Sequence, residues 1–271
     1  MNKLRVFGLI GIGLIGLNQS LYANDWGTPS LLDKKNLSLP ASSLQGMQVD
    51  VGAGSLFISG SDNLATIQVN AKVYGEDLEA DDYSLYLENK DGVAVLYAHI
   101  TRDSYQNERI DLHLTLPTKL ALEVNDRSGD LEIENMIAGV SINDRSGDIE
   151  LTNIKGGLQI DDRSGSIYAT SVYGGVTINV RSGNILLKEI EGNTKITDRS
   201  GDIRVKTLAG NLDIEDSSGD VKVKSVTGVV SVDDTSGNID VDGAENFVLL
   251  DDSSGDVELD NIRQGKTSHL K

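Results

Sequence analysis

Cysteine is absent from this sequence of 271 residues. Its absence excludes disulfide bridges, thiolate metal sites, cysteine nucleophiles and lipid attachment to an N-terminal cysteine. Proline is almost as scarce, with 3 residues, and aromatic residues make up only 4% of the chain. Hydrophobic residues nevertheless reach 38%, so we expect a folded chain whose core is mostly aliphatic.

Positive charge is also in short supply, and the formal net charge is −18 at pH 7. A chain of this charge repels nucleic acid and anionic lipid headgroups on average, so we expect no nucleic-acid partner. Only three histidines occur, His99, His113 and His269, and no two of them have the spacing of metal ligands.

Residues 1–23 have the pattern of a secretory signal peptide. Lys3 and Arg5 precede the apolar run Val6–Leu17, and Ala23 ends a cleavage motif. The run is short for a transmembrane helix, and no other stretch of the sequence approaches its length. We therefore predict an exported protein of the periplasm or the cell surface, with no transmembrane segment in the mature chain.

A Ser-Gly dipeptide recurs through the second half of the chain at a constant interval of 18 residues. The repeated glycines are Gly129, Gly147, Gly165, Gly183, Gly201, Gly219, Gly237 and Gly255. Fixed-period self-similarity is the signature of a solenoid, and it outweighs local propensity. Apolar residues alternate within each unit, as at Ile149 and Leu151 or at Leu158 and Ile160, which predicts strands with one buried face.

The two alternating pairs lie nine residues apart, so each unit is predicted to run strand, corner, strand, corner. Asp-Arg-Ser-Gly makes one corner, and Gly156-Gly157 or its equivalents make the other. We therefore predict an all-β protein in which residues 117–264 form a parallel β-solenoid of eight 18-residue coils. Stacked isoleucine and valine columns are expected to fill a narrow core between two parallel sheets.

The segments that flank the solenoid have different patterns. Residues 24–46 hold two of the three prolines and are predicted to be a linker. Residues 47–116 begin like a degenerate coil and continue with longer strands, which predicts an antiparallel β region that caps the N-terminal end of the solenoid. Within it, Asn89-Lys90-Asp91-Gly92 predicts a hairpin turn. Residues 265–271 are predicted to be a C-terminal tail.

Two stretches resemble a known family. The run Leu114-Thr115-Leu116-Pro117 followed by repeated Ser-Gly-Asp-Ile-x-Leu/Val units, and the earlier stretch Val49–Ile58, are similar to the bacterial "putative adhesin" family of β-strand-repeat envelope proteins, a domain of unknown function. The resemblance implies the solenoid fold and a role linked to the cell envelope. It supplies no catalytic residues.

Repetition also argues against an active site. A nucleophilic serine needs one base and one oxyanion hole, whereas this chain repeats the corner serine in eight equivalent places. The expected role of these serines is to hydrogen-bond backbone within the turn. We predict no catalytic residues and no enzyme. A polysaccharide-acting β-helix enzyme is the disfavoured alternative, because it needs paired carboxylates in a cleft with an aromatic platform.

Aspartates form two columns in the predicted stack. One column contains Asp126, Asp144, Asp162, Asp198, Asp216, Asp234 and Asp252, with Val180 interrupting it, and another contains Asp130, Asp148, Asp202, Asp220 and Asp256. Unit charges about 5 Å apart repel by about 1 kcal/mol even in water. In the first five coils we expect Arg127, Arg145, Arg163, Arg181 and Arg199 to offset this repulsion. The later coils replace arginine, which makes Asp216, Asp234 and Asp252 a speculative Ca²⁺ site. The competing interpretation is a solvated acidic edge and no bound cofactor.

Basic residues gather at outward positions of the first strand of the middle coils. Stacking is predicted to bring Lys188, Arg204, Lys206, Lys222 and Lys224 into one patch, either a mixed-charge solubilising face or a speculative partner-binding site. The leading function is an exported, non-catalytic solenoid with an adhesin-like surface-binding or envelope-structural role and an unidentified envelope or surface partner. A self-associating envelope scaffold is the alternative, and weak homodimers are expected through the C-terminal end.

Overall fold

The structure, a computed structural model, describes residues 30–76, 78–102, 108–264 and 266–268, with side chains up to residue 264. It is nearly all β, with a single 3-10 turn at Ala80–Asp82. The N-terminal part contains β1 (Leu31–Pro40), β2 (Gly46–Ala53), β3 (Leu56–Ser61), β4 (Thr66–Tyr74), β5 (Tyr83–Lys90), β6 (Val93–Ile100) and β7 (Arg109–Pro117). The predicted signal peptide, residues 1–23, lies outside the described residues.

The repeats form the remaining strands, two for each coil. They are β8 (Ala121–Ser128), β9 (Leu131–Met136), β10 (Val140–Asn143), β11 (Ile149–Ile154), β12 (Leu158–Asp161), β13 (Ile167–Tyr173), β14 (Val176–Asn179), β15 (Ile185–Glu191), β16 (Thr194–Thr197), β17 (Ile203–Ala209), β18 (Leu212–Asp216), β19 (Val221–Val226), β20 (Val229–Asp234), β21 (Ile239–Ala244), β22 (Asn246–Asp252), β23 (Val257–Ile262) and β24 (Lys266–Ser268).

The strands assemble into two twelve-stranded sheets. Sheet 1 has the order β1-β4-β7-β3-β9-β11-β13-β15-β17-β19-β21-β23, and sheet 2 has the order β24-β22-β20-β18-β16-β14-β12-β10-β8-β2-β6-β5. Successive coils pair in parallel and in register, so that Ile142 lies beside Ile160 and Ile160 beside Ile178. The predicted parallel β-solenoid with its 18-residue spacing is confirmed.

The core is a stack of aliphatic columns between the two sheets. Ile149 and Leu151 point inward from sheet 1, and Leu158 and Ile160 point inward from sheet 2. All four side chains are at least 96% buried. Burial of this alternating set removes a large apolar area from water, which is the main stabilising contribution in a coil that has no other hydrophobic layer.

In most coils, one residue with a left-handed backbone conformation interrupts the strand that belongs to sheet 1. Asn135, Asn153, Ser171, Glu189, Thr207 and Ser225 have φ between 57° and 62°, and they recur every 18 residues. The residue is skipped in the pairing, so Thr152 pairs with Thr170 and Ile154 with Val172. This bulge explains why the inward positions of sheet 1 run Ile149, Leu151 and then Ile154 in the sequence.

The N-terminal strands do not follow chain order in space. β2 lies between β6 and β8 in sheet 2, and β3 lies between β7 and β9 in sheet 1. The coil made by β2 and β3 is therefore inserted between a coil made by β6 and β7 and the first repeat coil. Leu56 consequently pairs with both Leu112 and Leu131. Sequence analysis identified the degenerate coil but not its interleaved position.

Antiparallel strands cover both sheets at this end, as predicted. β1 and β4 extend sheet 1 beyond β7, and the β5–β6 hairpin ends sheet 2. In the predicted hairpin turn, the Gly92 amide donates to Asn89 Oδ1 at 2.9 Å. The segment predicted as a linker contains β1, because its alternating residues Leu37 and Leu39 pack against the core and its backbone pairs with β4.

The opposite end of the solenoid carries one strand more than expected. The predicted tail, residues 265–271, contains β24, which pairs in parallel with β22. Main-chain hydrogen bonding thus continues beyond the last complete coil. Among the described residues, no helix has the length and apolar character needed to cross a membrane.

Candidate functional site

The predicted basic patch is assembled in sheet 1. Lys188 pairs with Lys206 and Lys206 with Lys224, while Arg204 pairs with Lys222 in the neighbouring column. The five side chains therefore share one exposed face, with Arg204 half-buried. The register prediction for these residues is correct.

Acidic neighbours neutralise most of this patch. Lys188 lies 3.3 Å from Glu189, Arg204 lies 2.8 Å from Asp202, and Lys224 lies 3.4 Å from Asp242. Lys222 is paired with Asp240 in the next coil. Within the described chain, Lys206 is the member that makes no ion pair. The patch is thus mainly a set of exposed ion pairs, which contribute little to stability.

The first aspartate column points into the core. Asp126, Asp144, Asp162, Asp198, Asp216 and Asp234 are each at least 95% buried, and Val180 is buried at the equivalent position. These residues occupy the third inward position of their coils, after pairs such as Val140 and Ile142. Sequence analysis treated them as part of an acidic edge; the inward-facing Val180 within the series was the signal that they are buried.

At most of these corners a local hydrogen bond partly compensates for this burial. Oδ1 of Asp162 accepts from the Ser164 amide at 3.0 Å, and Oδ1 of Asp216 accepts from the Ser218 amide at 3.2 Å. The second carboxylate oxygen, Oδ2, is buried without a hydrogen-bond partner in Asp126, Asp162, Asp198, Asp216 and Asp234. One oxygen of each of these five carboxyl groups, and both oxygens of Asp144, therefore lack compensation for their lost hydration.

Burial consequently shifts the titration of the column. Desolvation, reinforced by the neighbouring carboxylate of Asp144, raises the pKa of Asp126 to about 7. Desolvation also raises the pKa of Asp144 to about 6. In Asp216, desolvation and then repulsion from Asp198 raise the pKa to about 7. These carboxyl groups favour the neutral form, because the folded environment penalises the charged one.

The arginines do not offset the aspartate column, contrary to expectation. Arg127, Arg145, Arg163, Arg181 and Arg199 are all exposed, whereas the neighbouring aspartates point inward. None of the five guanidinium groups makes an ion pair within the part of the chain that the structure describes. We call these five residues the arginine ladder. Strand alternation explains the separation, since consecutive residues face opposite sides of a strand.

The calcium prediction receives no geometric support. Asp216 pairs with Asp234 and Asp234 with Asp252, so the three residues do form one column. However, no group of three or more carboxylates or imidazoles among the described residues is arranged to hold a metal ion. Ca²⁺ needs six to eight oxygen ligands, and a column of side chains one coil apart does not converge on one point.

The corner serines have the structural role expected of them. Ser146 Oγ donates to the Arg127 carbonyl at 3.2 Å, and Ser164 Oγ donates to the Arg145 carbonyl at 3.1 Å. The second polar column is structural too. Asp148 Oδ1 accepts from the Ser166 amide at 2.8 Å, and Asp220 Oδ1 accepts from the Asn238 amide at 3.0 Å. Both sets of side chains connect one coil to the next.

His99 and His113 lie apart from these corners. His99 Nε2 is 2.7 Å from Asp50 Oδ1, and its ring centroid is 4.3 Å from that of Tyr97. His113 packs against Phe57 with ring centroids 5.4 Å apart. The His99–Asp50 pair joins two segments 49 residues apart, and the sequence offered no signal for it.

Comparison with known proteins gives one family match. The family model described as Toastrack DUF4097 matches residues 44–271. No curated protein matches the chain. This match confirms the family resemblance predicted from the sequence, to a domain of unknown function.

Three solved structures are similar to this chain over most of its length. A "putative lipid binding protein" from Parabacteroides distasonis is 17% identical, with 88% of this chain and 97% of that chain covered and a TM-score of 0.49. A "putative adhesin" from the same organism is 15% identical, with 88% and 97% covered and a TM-score of 0.46. A "putative adhesin" from Bacteroides fragilis is 14% identical, with 89% and 99% covered and a TM-score of 0.41.

Proposed function

The chain belongs to the Toastrack DUF4097 family, and from that premise we propose that it is an exported, non-catalytic solenoid that binds a component of the cell envelope or cell surface. Its working part is the rigid outer surface of the coils. The support lies in the shape of that surface and in the distribution of its charges.

The observation that carries the proposal is the sorting of like charges into columns. The five residues of the arginine ladder recur at the same corner of five successive coils and make no ion pair among the described residues, whereas Lys188 and Lys224 are paired with acidic neighbours. Like charges in directly opposed strand positions are destabilising, and interleaving them with the abundant acidic residues would favour folding. A surface that keeps its cations together against this penalty is suited to an anionic partner.

Binding to isolated bacterial envelopes tests the proposal. We expect the purified protein to co-sediment with envelopes saturably, to be displaced by unlabelled protein, and to be released as salt rises, because exposed charges are screened. Cell fractionation should recover the protein outside the cytoplasm. Binding that does not saturate, or no binding at all at low salt, would contradict a surface-binding role.

A second candidate, a self-associating scaffold, is favoured by one observation at the C-terminal end. Val257, Leu259 and Ile262 occupy inward positions but are only half-buried, whereas their partners in β21 are buried. An apolar end of this kind suits contact with a second copy. The concentration dependence of the oligomeric state separates this candidate from a monomeric binding protein.

A further inference from the structure

The arginine ladder is the largest set of unneutralised cations on the solenoid that the structure describes. Its five guanidinium groups repeat once per coil, about 4.8 Å apart, so the ladder is roughly 19 Å long. Four of the five residues in the basic patch of sheet 1 have acidic partners, whereas the ladder has none among the described ion pairs. The ladder is therefore more available to an external anion than the patch that the sequence singled out.

A column of polar residues, three of them asparagines, runs beside the ladder on the outer face of sheet 2. Asn125, Asn143, Asp161, Asn179 and Thr197 stack in register, each two residues before an arginine of the ladder. We call these five residues the amide column. In the later coils, where serine or threonine replaces the arginine, the same column becomes acidic with Glu215 and Asp233. Four of the five column residues beside the arginine ladder are therefore neutral, whereas the column is acidic where the arginines end.

The two carboxylates in this outward column, Asp161 and Asp50, are hydrogen-bonded to neighbouring side chains. Asp161 Oδ1 accepts from Asn179 Nδ2 at 2.7 Å. Towards the N-terminus, the amide column continues in register into Asp50, which is bound to His99. Both carboxylates are therefore held by neighbouring side chains, and the arginines of the ladder are the groups on this surface that attract an anion.

Two tyrosines end the column. Asp50 pairs with Tyr97 and Tyr97 with Tyr86, and the two rings stack with centroids 5.3 Å apart. Tyr86 is 39% exposed. A tyrosine pair provides an amphipathic surface, with apolar rings and two hydroxyl groups that can hydrogen-bond.

A depression marks the middle of this surface. It has a volume of about 290 Å³, and its lining contains Asn143, Asn179, Arg163, Arg181 and Arg199 together with the carboxyl groups of Asp144, Asp161 and Asp162. Asp144 and Asp162 are buried, and burial raises the pKa of both, which favours their neutral form. Val180 also lines it, at the one corner of the series where the buried aspartate is missing. A concavity where the ladder and the amide column meet is where a ligand could contact both.

We propose that the arginine ladder and the amide column form a binding track for a linear acidic polysaccharide that carries carboxylate groups on its sugars. The inference rests on the proposed surface-binding function and names its site and ligand class. Guanidinium groups bind carboxylates through two parallel hydrogen bonds, and amides exchange hydrogen bonds with hydroxyl groups. One sugar advances such a polymer by a distance close to the spacing of one coil, so the carboxylates on one face of the polymer recur at a small multiple of the arginine spacing.

Polygalacturonate binding by the purified protein tests the track, with dextran as the neutral control and polyphosphate as a non-sugar polyanion. The triple variant Arg145→Gln, Arg163→Gln, Arg181→Gln is expected to weaken binding to polygalacturonate about tenfold or more, since each exposed contact is modest. The matched control Lys188→Gln, Lys206→Gln, Lys224→Gln removes the same charge from sheet 1 and should change affinity by about twofold or less. Thermal melts verify that both variants remain folded.

A further variant separates the amide column from charge alone. Asn125→Asp with Asn143→Asp places carboxylates in the track and should abolish binding, whereas Ser141→Asp, in the adjacent outward column, should have a smaller effect. Equal loss in the arginine and lysine variants would overturn the inference, and so would tighter binding to polyphosphate than to polygalacturonate. If envelopes bind the arginine variant as well as the parent, the track is wrong while the surface-binding function stands.

Discussion

Glycine at the Ser-Gly corner is required by the backbone of the neighbouring coil. Gly147 has φ of 138°, and a Cβ atom built on it would lie 1.9 Å from the carbonyl oxygen of Gly129. The same close approach recurs up the stack, because each corner glycine sits against the one before it. Glycine recurs every 18 residues because the backbones of successive corners lie too close together to leave room for a side chain.

We predict that Gly147→Ala is severely destabilising, by about 3 kcal/mol or more, because the backbone must both strain and shift. Gly175→Ala is the matched control. A Cβ at Gly175 meets only a carbonyl oxygen at 3.8 Å, which is ordinary contact. Urea unfolding of the two variants checks this, and similar midpoints would show that the corners are not tightly packed.

At the left-handed bulge positions, by contrast, a substitution can raise the stability of the protein. Thr207 has φ of 62°, although a β-branched residue is disfavoured in that region. We predict that Thr207→Asn stabilises the protein by about 0.5–1 kcal/mol, since asparagine tolerates this conformation. The reverse change, Asn153→Thr, should destabilise it and also removes the hydrogen bond to Asn135. Thermal denaturation measures both, and a lower melting temperature for Thr207→Asn would contradict the assignment of strain.

At the scale of elements, the buried aspartate column makes stability depend on pH. The folded-state pKa values of Asp126 and Asp216 are raised to about 7 and that of Asp144 to about 6. The folded protein thus holds protons that the unfolded chain releases near pH 4. Stability from these groups is fully present below about pH 4 and is lost as pH rises towards about 7.

We predict a higher melting temperature at pH 5 than at pH 8. Exposed carboxylates whose pKa is lowered, such as that of Glu215 beside Lys195, remain ionised across this window and do not interfere. The variant Asp126→Asn, Asp144→Asn, Asp216→Asn should lose most of the difference and melt about 3 °C higher or more at pH 8. An unchanged pH profile in that variant would assign the effect to overall charge.

The repeat strands were predictable because every coil repeats the same alternation of apolar and polar residues. Eight copies of one alternation fix the inward face and the register, and the columns of Lys188, Lys206 and Lys224 follow directly. Ion pairs such as that of Lys222 with Asp240 were not predicted, because the repeat fixes which strands are neighbours but not side-chain rotamers. The inward direction of the aspartates was missed because charge suggested the surface, although strand alternation pointed inward.

On the scale of the whole molecule, the interleaved coil was beyond sequence reasoning. Leu56 contacts Leu112 and Leu131, which lie 56 and 75 residues further along the chain. Contacts of that kind occur once and leave no periodic signal. Such contacts depend on which strand packs best against the end of the stack, and tertiary packing alone determines that choice.

The two ends of the molecule differ, and this sets an expectation for association. Antiparallel strands cover the N-terminal end, whereas the half-buried Leu259 lies at the C-terminal end. We predict a weak dimer through the C-terminal ends, strengthened by salt, because the contact is apolar between like-charged molecules. Leu259→Lys should abolish it, and Leu250→Lys, which changes an outward side chain, should not. A strict monomer at high concentration and high salt would exclude this contact.

The placement of β2 and β3 between later strands also gives the protein a mechanical polarity. Under tension, the coil at the C-terminal end of the stack contacts a neighbouring coil on one side only, so it should detach first. The coils should then detach one after another, each releasing 18 residues, or about 60 Å of chain. The coil of β2 and β3 is hydrogen-bonded on both sides, to β6 and β7 on one side and to β8 and β9 on the other. Single-molecule extension should therefore show a regular series of small steps and one final, larger rupture. If the protein is attached through its N-terminal side, the coil of β2 and β3 should therefore be the last to unfold under load. The C-terminal coils should unfold first and lengthen the chain before that.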